Sequence, residues 1–268
     1  MPSPETDATP MTFQCAGAGE PFILIHGSVN DSRYWAPQTS VFAARFETFA
    51  LNLRHYWPKP WDGQSRFSID QHIDDVAAFI ETLARGPVRL LGHSRGGYIA
   101  FRLAERRPDL VSRLVLAEPA GVLDASLAAP DAPPANYAAL IADAVACVQR
   151  GETEIGLEKF FDYAIGPGGW AKLPDARRQI CRDNALTLIG QIAEGRTPYS
   201  RDAAEAIRCP TLILDGGATQ PVFSGVAAAL SCAIPQARRV TLPGATHLLN
   251  WDDAAGFNAA VLSFFAKD

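Results

Sequence analysis

No stretch of this 268-residue chain approaches the ~18 consecutive apolar residues that a membrane-spanning helix requires, so no transmembrane segment is expected. Runs of lysine or arginine are missing too. With 24 basic against 29 acidic residues and a net charge of −5, the chain carries no footprint for nucleic acid or an anionic membrane. Its five cysteines (Cys15, Cys147, Cys181, Cys209 and Cys232) form no C-x-x-C pair, and their odd number speaks against a disulfide framework. They read as reduced, mostly buried thiols of a reducing compartment. No H-E-x-x-H or comparable ligand spacing occurs, so no catalytic metal is expected. The opening MPSPETDATP lacks both the basic patch and the apolar core of a secretory leader, and reads as a short disordered lead. A cytoplasmic location is the resulting expectation.

What is present is an ordinary globular composition, 48% hydrophobic and 20% charged, at a length that suits one large domain or one domain carrying an insertion. Short apolar runs recur at 21–27, 46–54, 88–94, 113–119, 211–217 and 238–244, most with glycine or proline close to one end. Near-continuous hydrophobicity, rather than alternation, marks strands buried on both faces and hence a largely parallel sheet. Helical patterns lie between them. Ser68 and Gln71 have the capping-box spacing, and Ile69, Ile73, Val76, Ile80 and Leu83 then share one helix face. A second helix follows Ser94 and must stop near Arg107-Pro108, where proline cannot continue the ladder. A last helix starts around Asp252-Asp253 and turns Phe257, Val261 and Phe264 inward. Strand–helix alternation of this kind predicts an α/β fold with a doubly wound, mostly parallel sheet.

The rhythm breaks between about Gly121 and Cys209, where no convincing strand occurs. A proline-rich hinge, PDAPPAN (130–136), opens a series of amphipathic helices. The expected organisation is a core in two parts, residues 1–120 and 210–268, interrupted by a helical insertion over residues 121–209.

One apolar run, VRLLGHSRGG (88–97), ends on Gly92-His93-Ser94-Arg95-Gly96, a G-x-S-x-G placed after a predicted strand and before a predicted helix. Such a turn holds its central residue in a strained, positive-φ conformation and lifts the serine hydroxyl above the sheet edge. The flanking glycines answer to neighbouring backbone that leaves no space for a side chain. A serine hydroxyl is a poor nucleophile and needs a base within hydrogen-bond reach. His26, His55, His72, His93 and His247 are the candidates.

Three segments, HGSVNDSRYW (26–35), GHSRGG (92–97) and PGATHLLNWDDAAGFNAAVLSFF (243–265), occur in the order in which the chain resembles the α/β-hydrolase superfamily. The resemblance covers nearly the whole chain. It implies Ser94 as nucleophile, His247 as base, and the backbone N–H groups of Ser28 and Arg95 as oxyanion donors. It also implies a helical cap at residues 121–209 and no cofactor. His26 then orients its loop, and His72 and His93 read as structural. The acid is where the chain departs from the superfamily. The usual L-x-G-x-x-D position falls on Thr219 within LILDGGATQPVF, followed by Gln220 and Pro221, none of them acidic. Glu118, closing the strand RLVLAEP, fits a variant location known in the superfamily. Active-site groups of open α/β sheets cluster at strand C-terminal ends, and a buried glutamate there needs a partner that a histidine supplies. Asp215 is the rival, with Asp252, Asp253 or no acid at all behind it.

Aromatic side chains at Trp57, Trp61, Phe161 and Trp170 suit the mouth of a pocket for an apolar or aromatic acyl group, or else hold the insertion onto the sheet. Arg54 and Arg95 are candidates for a substrate carboxylate or for ordinary ion pairs. The implied activity is hydrolysis of a carboxylic ester or lactone through an acyl-enzyme, a small molecule being the expected partner and a homo-oligomer compatible with it. A carbon–carbon bond hydrolase, an acyltransferase, a cofactor-free haloperoxidase or a ligand receptor with vestigial turnover would use the same residues.

Overall fold

The computed structural model describes residues 11–128 and 137–266. The expected N-terminal lead and the proline-rich hinge lie outside these residues. Seven strands form one sheet: β1 (Thr12–Ala16), β2 (Pro21–Ile25), β3 (Glu47–Asn52), β4 (Val88–His93), β5 (Val111–Ala117), β6 (Thr211–Gly216) and β7 (Ala237–Leu242). Their order is β1-β3-β2-β4-β5-β6-β7. Only β1 runs antiparallel, pairing Thr12 with Asn52 and Ala16 with Thr48. The sheet is therefore doubly wound and mostly parallel, the α/β-hydrolase architecture that the resemblance implies. The chain winds outward in opposite directions from the β2/β4 junction, where Ile25 pairs with Gly92. Such a switch point opens a crevice at the strand C-termini.

The apolar runs become strands because the sheet has two cores. Along β2, Ile23 and Ile25 point into one and Phe22 and Leu24 into the other. Along β5, Leu114 and Leu116 oppose Val115 and Ala117 in the same way. One face is covered by α2 (Ile69–Leu83), α3 (Arg95–Arg106) and α10 (Pro221–Ala233), the other by α1 (Ala36–Phe42) and α12 (Ala254–Phe265).

Between β5 and β6 lie α4 (Tyr137–Gln149), α5 (Thr153–Ile165), α6 (Gly169–Lys172), α7 (Asp175–Asp183), α8 (Thr187–Ala193) and α9 (Arg201–Glu205). Phe160, Phe161 and Trp170 from this stretch share the second core with β2 and α12. A parallel bridge, Leu123 to Tyr199, brackets α4 to α8.

The helix boundaries follow local chemistry. Ser68 sits extended before α2 and accepts from the N–H of Gln71 at 3.4 Å. Gln71 does not return the bond and donates to Asp75 instead, so only half of the capping box forms. The last helix begins two residues later than expected, because α11 (Leu249–Asp252) intervenes and Asp253 caps Gly256 N–H. Of the five cysteines, only Cys147 and Cys181 are buried; Cys15 and Cys232 are exposed, which corrects the mostly buried expectation. Among the described residues no helix is long and apolar enough to cross a membrane.

Candidate active site

Ser94 stands at the corner between β4 and α3 with φ 54° and ψ −118°. A non-glycine residue there stores about 1–3 kcal/mol, which the surrounding backbone must hold. Ser94 N–H donates to Ala117 O at 2.9 Å, and Ser94 O accepts from Tyr98 and Ala120 N–H. The glycines make the corner sterically feasible. A Cβ on Gly92 would lie 2.1 Å from Gly96 O, and one on Gly96 would lie 2.3 Å from Ile25 O. Both contacts are with backbone, so nothing can yield.

His247 lies in the loop after β7, and its Nε2 is 2.9 Å from Ser94 Oγ. Its Nδ1 is 2.8 Å from Glu118 Oε2. All three side chains are buried, at 7% exposure for Ser94, 4% for His247 and 0% for Glu118. His93 Nε2–H donates to His247 O at 2.7 Å and pins the loop backbone, while Phe223 stacks on the His247 ring with centroids 3.7 Å apart. Burial, with His247 close by, holds His93 well below the usual histidine range, so it is the neutral imidazole that makes this bond.

Glu118 is the carboxylate within reach of the imidazole. It follows β5 at φ 46°, another left-handed residue. Its Oε1 accepts from Gly216 N–H at 2.7 Å, and Oε2 accepts from Thr219 Oγ at 2.6 Å as well as from His247. Three donors converging on one carboxylate offset the cost of burying its charge. Thr219, which holds the usual acid position that the resemblance implies, thus donates its hydroxyl to Glu118 instead. The other carboxylates face elsewhere. Asp215 accepts from Arg239 Nε at 3.0 Å and Nη2 at 2.5 Å, and from Thr241 Oγ. Asp252 binds Thr246 N–H and hydroxyl, and Asp253 caps α12.

Ser28 shares a small cavity with Ser94 and His247, and a Cβ on Gly27 would lie 3.0 Å from Ser94 Cβ. His26 shapes this loop: its Nδ1–H donates to Gly27 O, and its Nε2 accepts from Leu53 N–H. Burial pushes the His26 imidazole down to about 4. Arg95 opens α3, where N–H groups lack intrahelical partners. Residues on and after α8 hold both side chains. Ser28 Oγ donates to Gln191 Oε1 at 2.7 Å, and Arg95 Nη2 donates to Glu194 Oε2 at 2.5 Å and to His72 Nδ1 at 2.8 Å.

The cavity measures about 20 Å³ and is walled by Asn30, Phe160, Phe161, Ala164 and Leu248 beside the residues named. That is room for about one water molecule. Phe161 is thus a wall residue, and Trp170 packs behind it with ring centroids 5.2 Å apart. Trp57 and Trp61 do not line the cavity. Trp57 N–H donates to Asn184, with the Arg33 guanidinium 4.2 Å above its ring, so it ties the α7–α8 turn to the core. Trp61 packs on Phe67 and donates to Ser65 O. The two arginines weighed for a substrate carboxylate are engaged otherwise: Arg54 pairs with Asp75, and Arg95 with Glu194. A larger concavity of about 300 Å³, near Met11, Tyr56 and Lys59, contains none of Ser94, Glu118 and His247. Among the described residues no His, Cys, Asp and Glu cluster could hold a metal ion.

Comparison with known proteins places these features in company. A family model described as the alpha/beta hydrolase family matches residues 22–260. The (E)-2-((N-methylformamido)methylene)succinate hydrolase of Acinetobacter baylyi is 29% identical over 212 residues, 75% of this chain and 73% of its own length. The 2-(acetamidomethylene)succinate hydrolase of Mesorhizobium japonicum is 26% identical over 253 residues, 87% of this chain and 84% of that one. The crystal structure of the enol-lactonase from Burkholderia xenovorans LB400 superposes with a TM-score of 0.79 at 19% identity, covering 97% of this chain and 98% of that one. At that identity the likeness speaks to the fold alone.

Proposed function

Since the chain belongs to the alpha/beta hydrolase family, we propose that it is a serine hydrolase cleaving a carboxylic ester or lactone bond through an acyl-enzyme. One observation carries the reading: an unbroken hydrogen-bonded chain from Ser94 Oγ through both nitrogens of His247 to Glu118, at 2.9 and 2.8 Å, on a strained corner. Ser94 Oγ attacks the carbonyl carbon while His247 Nε2 takes its proton. The oxyanion is held by the N–H groups of Ser28 and Arg95; one such donor is worth about 3 kcal/mol. Collapse expels the alcohol oxygen, which leaves with the proton from His247. Water then attacks the acyl-enzyme, gives its proton to the same imidazole, and the acid departs as Ser94 regains its hydrogen. Glu118 keeps the Nδ1–H tautomer and stabilises the imidazolium.

The present cavity has room for about one water molecule and excludes an acyl group. Admission of substrate therefore requires α5, with Phe160, Phe161 and Ala164, to withdraw as part of a cap. The names of the two curated relatives add that hydrolysis of substituted succinates occurs among similar chains. The test is turnover of p-nitrophenyl acetate and butyrate by wild type and Ser94→Ala. Wild-type turnover that falls to background in the variant is expected. Turnover retained in Ser94→Ala, or ligand binding by wild type with no product, overturns the proposal.

A further inference from the structure

We propose that Arg177 is the specificity determinant of this site and recognises a carboxylate on the substrate, a deepening that rests on the hydrolase reading. Three arginines are buried among the described residues, Arg95, Arg102 and Arg177. Arg95 faces Glu194 and Arg102 faces Glu105. Arg177, 2% exposed, has no carboxylate partner among the described residues. Its Nη1 donates to the neutral Asn30 Oδ1 at 3.1 Å, and its Nη2 is buried with no hydrogen-bond partner. A buried charge in that condition is costly unless an anion completes it.

Placement directs that anion to the cavity. The guanidinium carbon lies 4.7 Å from the ring centres of both Tyr34 and Trp251, whose own centres are 6.4 Å apart, so the rings flank the cation on one side and leave Nη1 and Nη2 for hydrogen bonding. Asn30, at that edge, walls the cavity together with Ser94 and His247. Arg177 therefore stands one amide behind the reacting hydroxyl. No Asp, Glu, Lys or Arg is among the wall residues, so nothing in the wall repels an anion. The fork of Nη1 and Nη2 fits a carboxylate in the bidentate manner peculiar to arginine. As α5 withdraws, the substrate carboxylate replaces Asn30 Oδ1 on Nη1 and satisfies Nη2. Asn30 Nδ2 meanwhile stays on Ser28 O, 2.8 Å away, and keeps the oxyanion loop in place. The substrate class is a short acyl compound with a free carboxylate, such as the half-ester of a dicarboxylic acid.

The experiment compares p-nitrophenyl hemisuccinate with p-nitrophenyl butyrate, acyl groups of equal carbon number of which one ends in a carboxylate. The ratio of the two kcat/KM values is read in wild type, Arg177→Met and Arg177→Lys. It is expected to favour hemisuccinate at least about tenfold in wild type, to fall to about one in Arg177→Met and to recover partly in Arg177→Lys. In wild type, succinate should inhibit butyrate turnover competitively and succinamide should not, an arm that needs no variant to fold. Turnover of both esters with no charge preference, or a preference that Arg177→Met retains, overturns the Arg177 proposal and leaves the hydrolase reading standing. Turnover of neither ester overturns the hydrolase reading; calorimetric binding of succinate then decides the anion site alone. Binding by wild type that Arg177→Met loses supports it, and no binding by wild type overturns it.

Discussion

Replacing Glu118 by glutamine tests the relay at its deepest point. The substitution conserves shape and removes one acceptor edge. In the native protein every donor near this side chain finds an oxygen: Gly216 N–H on Oε1, Thr219 hydroxyl and His247 Nδ1–H on Oε2. A glutamine offers one oxygen and one NH2. If the NH2 faces His247, the ring must accept at Nδ1 and carry its proton on Nε2, where it can no longer take one from Ser94 2.9 Å away. If the NH2 faces Gly216 instead, two donors oppose each other at 2.7 Å in a fully buried place. The second arrangement keeps the tautomer only at the cost of that clash, so the first prevails and disables the base, and a wrong-tautomer histidine costs about 10³–10⁴ in kcat. At about 1.4 kcal/mol per tenfold, this is a loss of roughly 4–5.5 kcal/mol of transition-state stabilisation. The assay is steady-state release of p-nitrophenol from the butyrate ester. Asp215→Asn is the control, expected to keep kcat within about threefold of wild type while lowering stability by about 1–3 kcal/mol through its bonds to Arg239 and Thr241. A Glu118→Gln enzyme within about tenfold of wild type, or an Asp215→Asn enzyme that fares worse, refutes the reasoning.

Two further outcomes follow from packing and protonation. Burial depresses His26 to about 4 and holds His72 and His93 well below their ordinary value of 6.5. The unfolded chain therefore binds more protons than the folded one, so stability is full above about pH 6.5 and is lost as pH falls toward 4. His26 alone accounts for about 3 kcal/mol. Denaturant unfolding at pH 7, 5.5 and 4 should show this slope, and a flat profile contradicts it. Gly96→Ala places a methyl 2.3 Å from Ile25 O and 2.5 Å from His26 O. It should cost about 3 kcal/mol and lower Tm by roughly 6 °C or more. A variant melting within about 2 °C of wild type would show that the corner can relax.

Sequence made the placement of the candidate triad more legible than its surroundings. Glu118 could be read because a charged residue closing an apolar strand is conspicuous, and Ser94 because glycines at fixed offsets announce a backbone with no free space. β1 escaped notice: TFQCA is short, largely exposed and gains its identity from pairing with β3. The role of Thr219 was hidden for a related reason, since a hydroxyl shows no sign of which distant carboxylate it will meet. Trp57 and Trp61 were open to two readings, pocket mouth or anchor of the insertion, because aromatic content marks a loop without telling which way each ring turns. Arg177 gave no signal. DARRQICRD reads as a solvated helix, and its burial depends on Tyr34 and Trp251, which stand 143 positions before and 74 after it in the chain.

The carriage of the acid on β5 has a mechanical consequence. His93 pairs with Ala117 in the β4–β5 ladder, and Ser94 and Glu118 are the residues that immediately follow the two strands. The distance between Ser94 and Glu118 is thereby set by the last rung of two neighbouring central strands, leaving the His247 loop as the part of the proposed relay that is free of the sheet. On the proposed mechanism, heat or solvent that loosens the chemistry before the framework should do so by swinging one imidazole out of line, and cooling should let it drop back. The turn after β6, relieved of carrying charge, is left with the lighter duty of offering hydrogens to a neighbour.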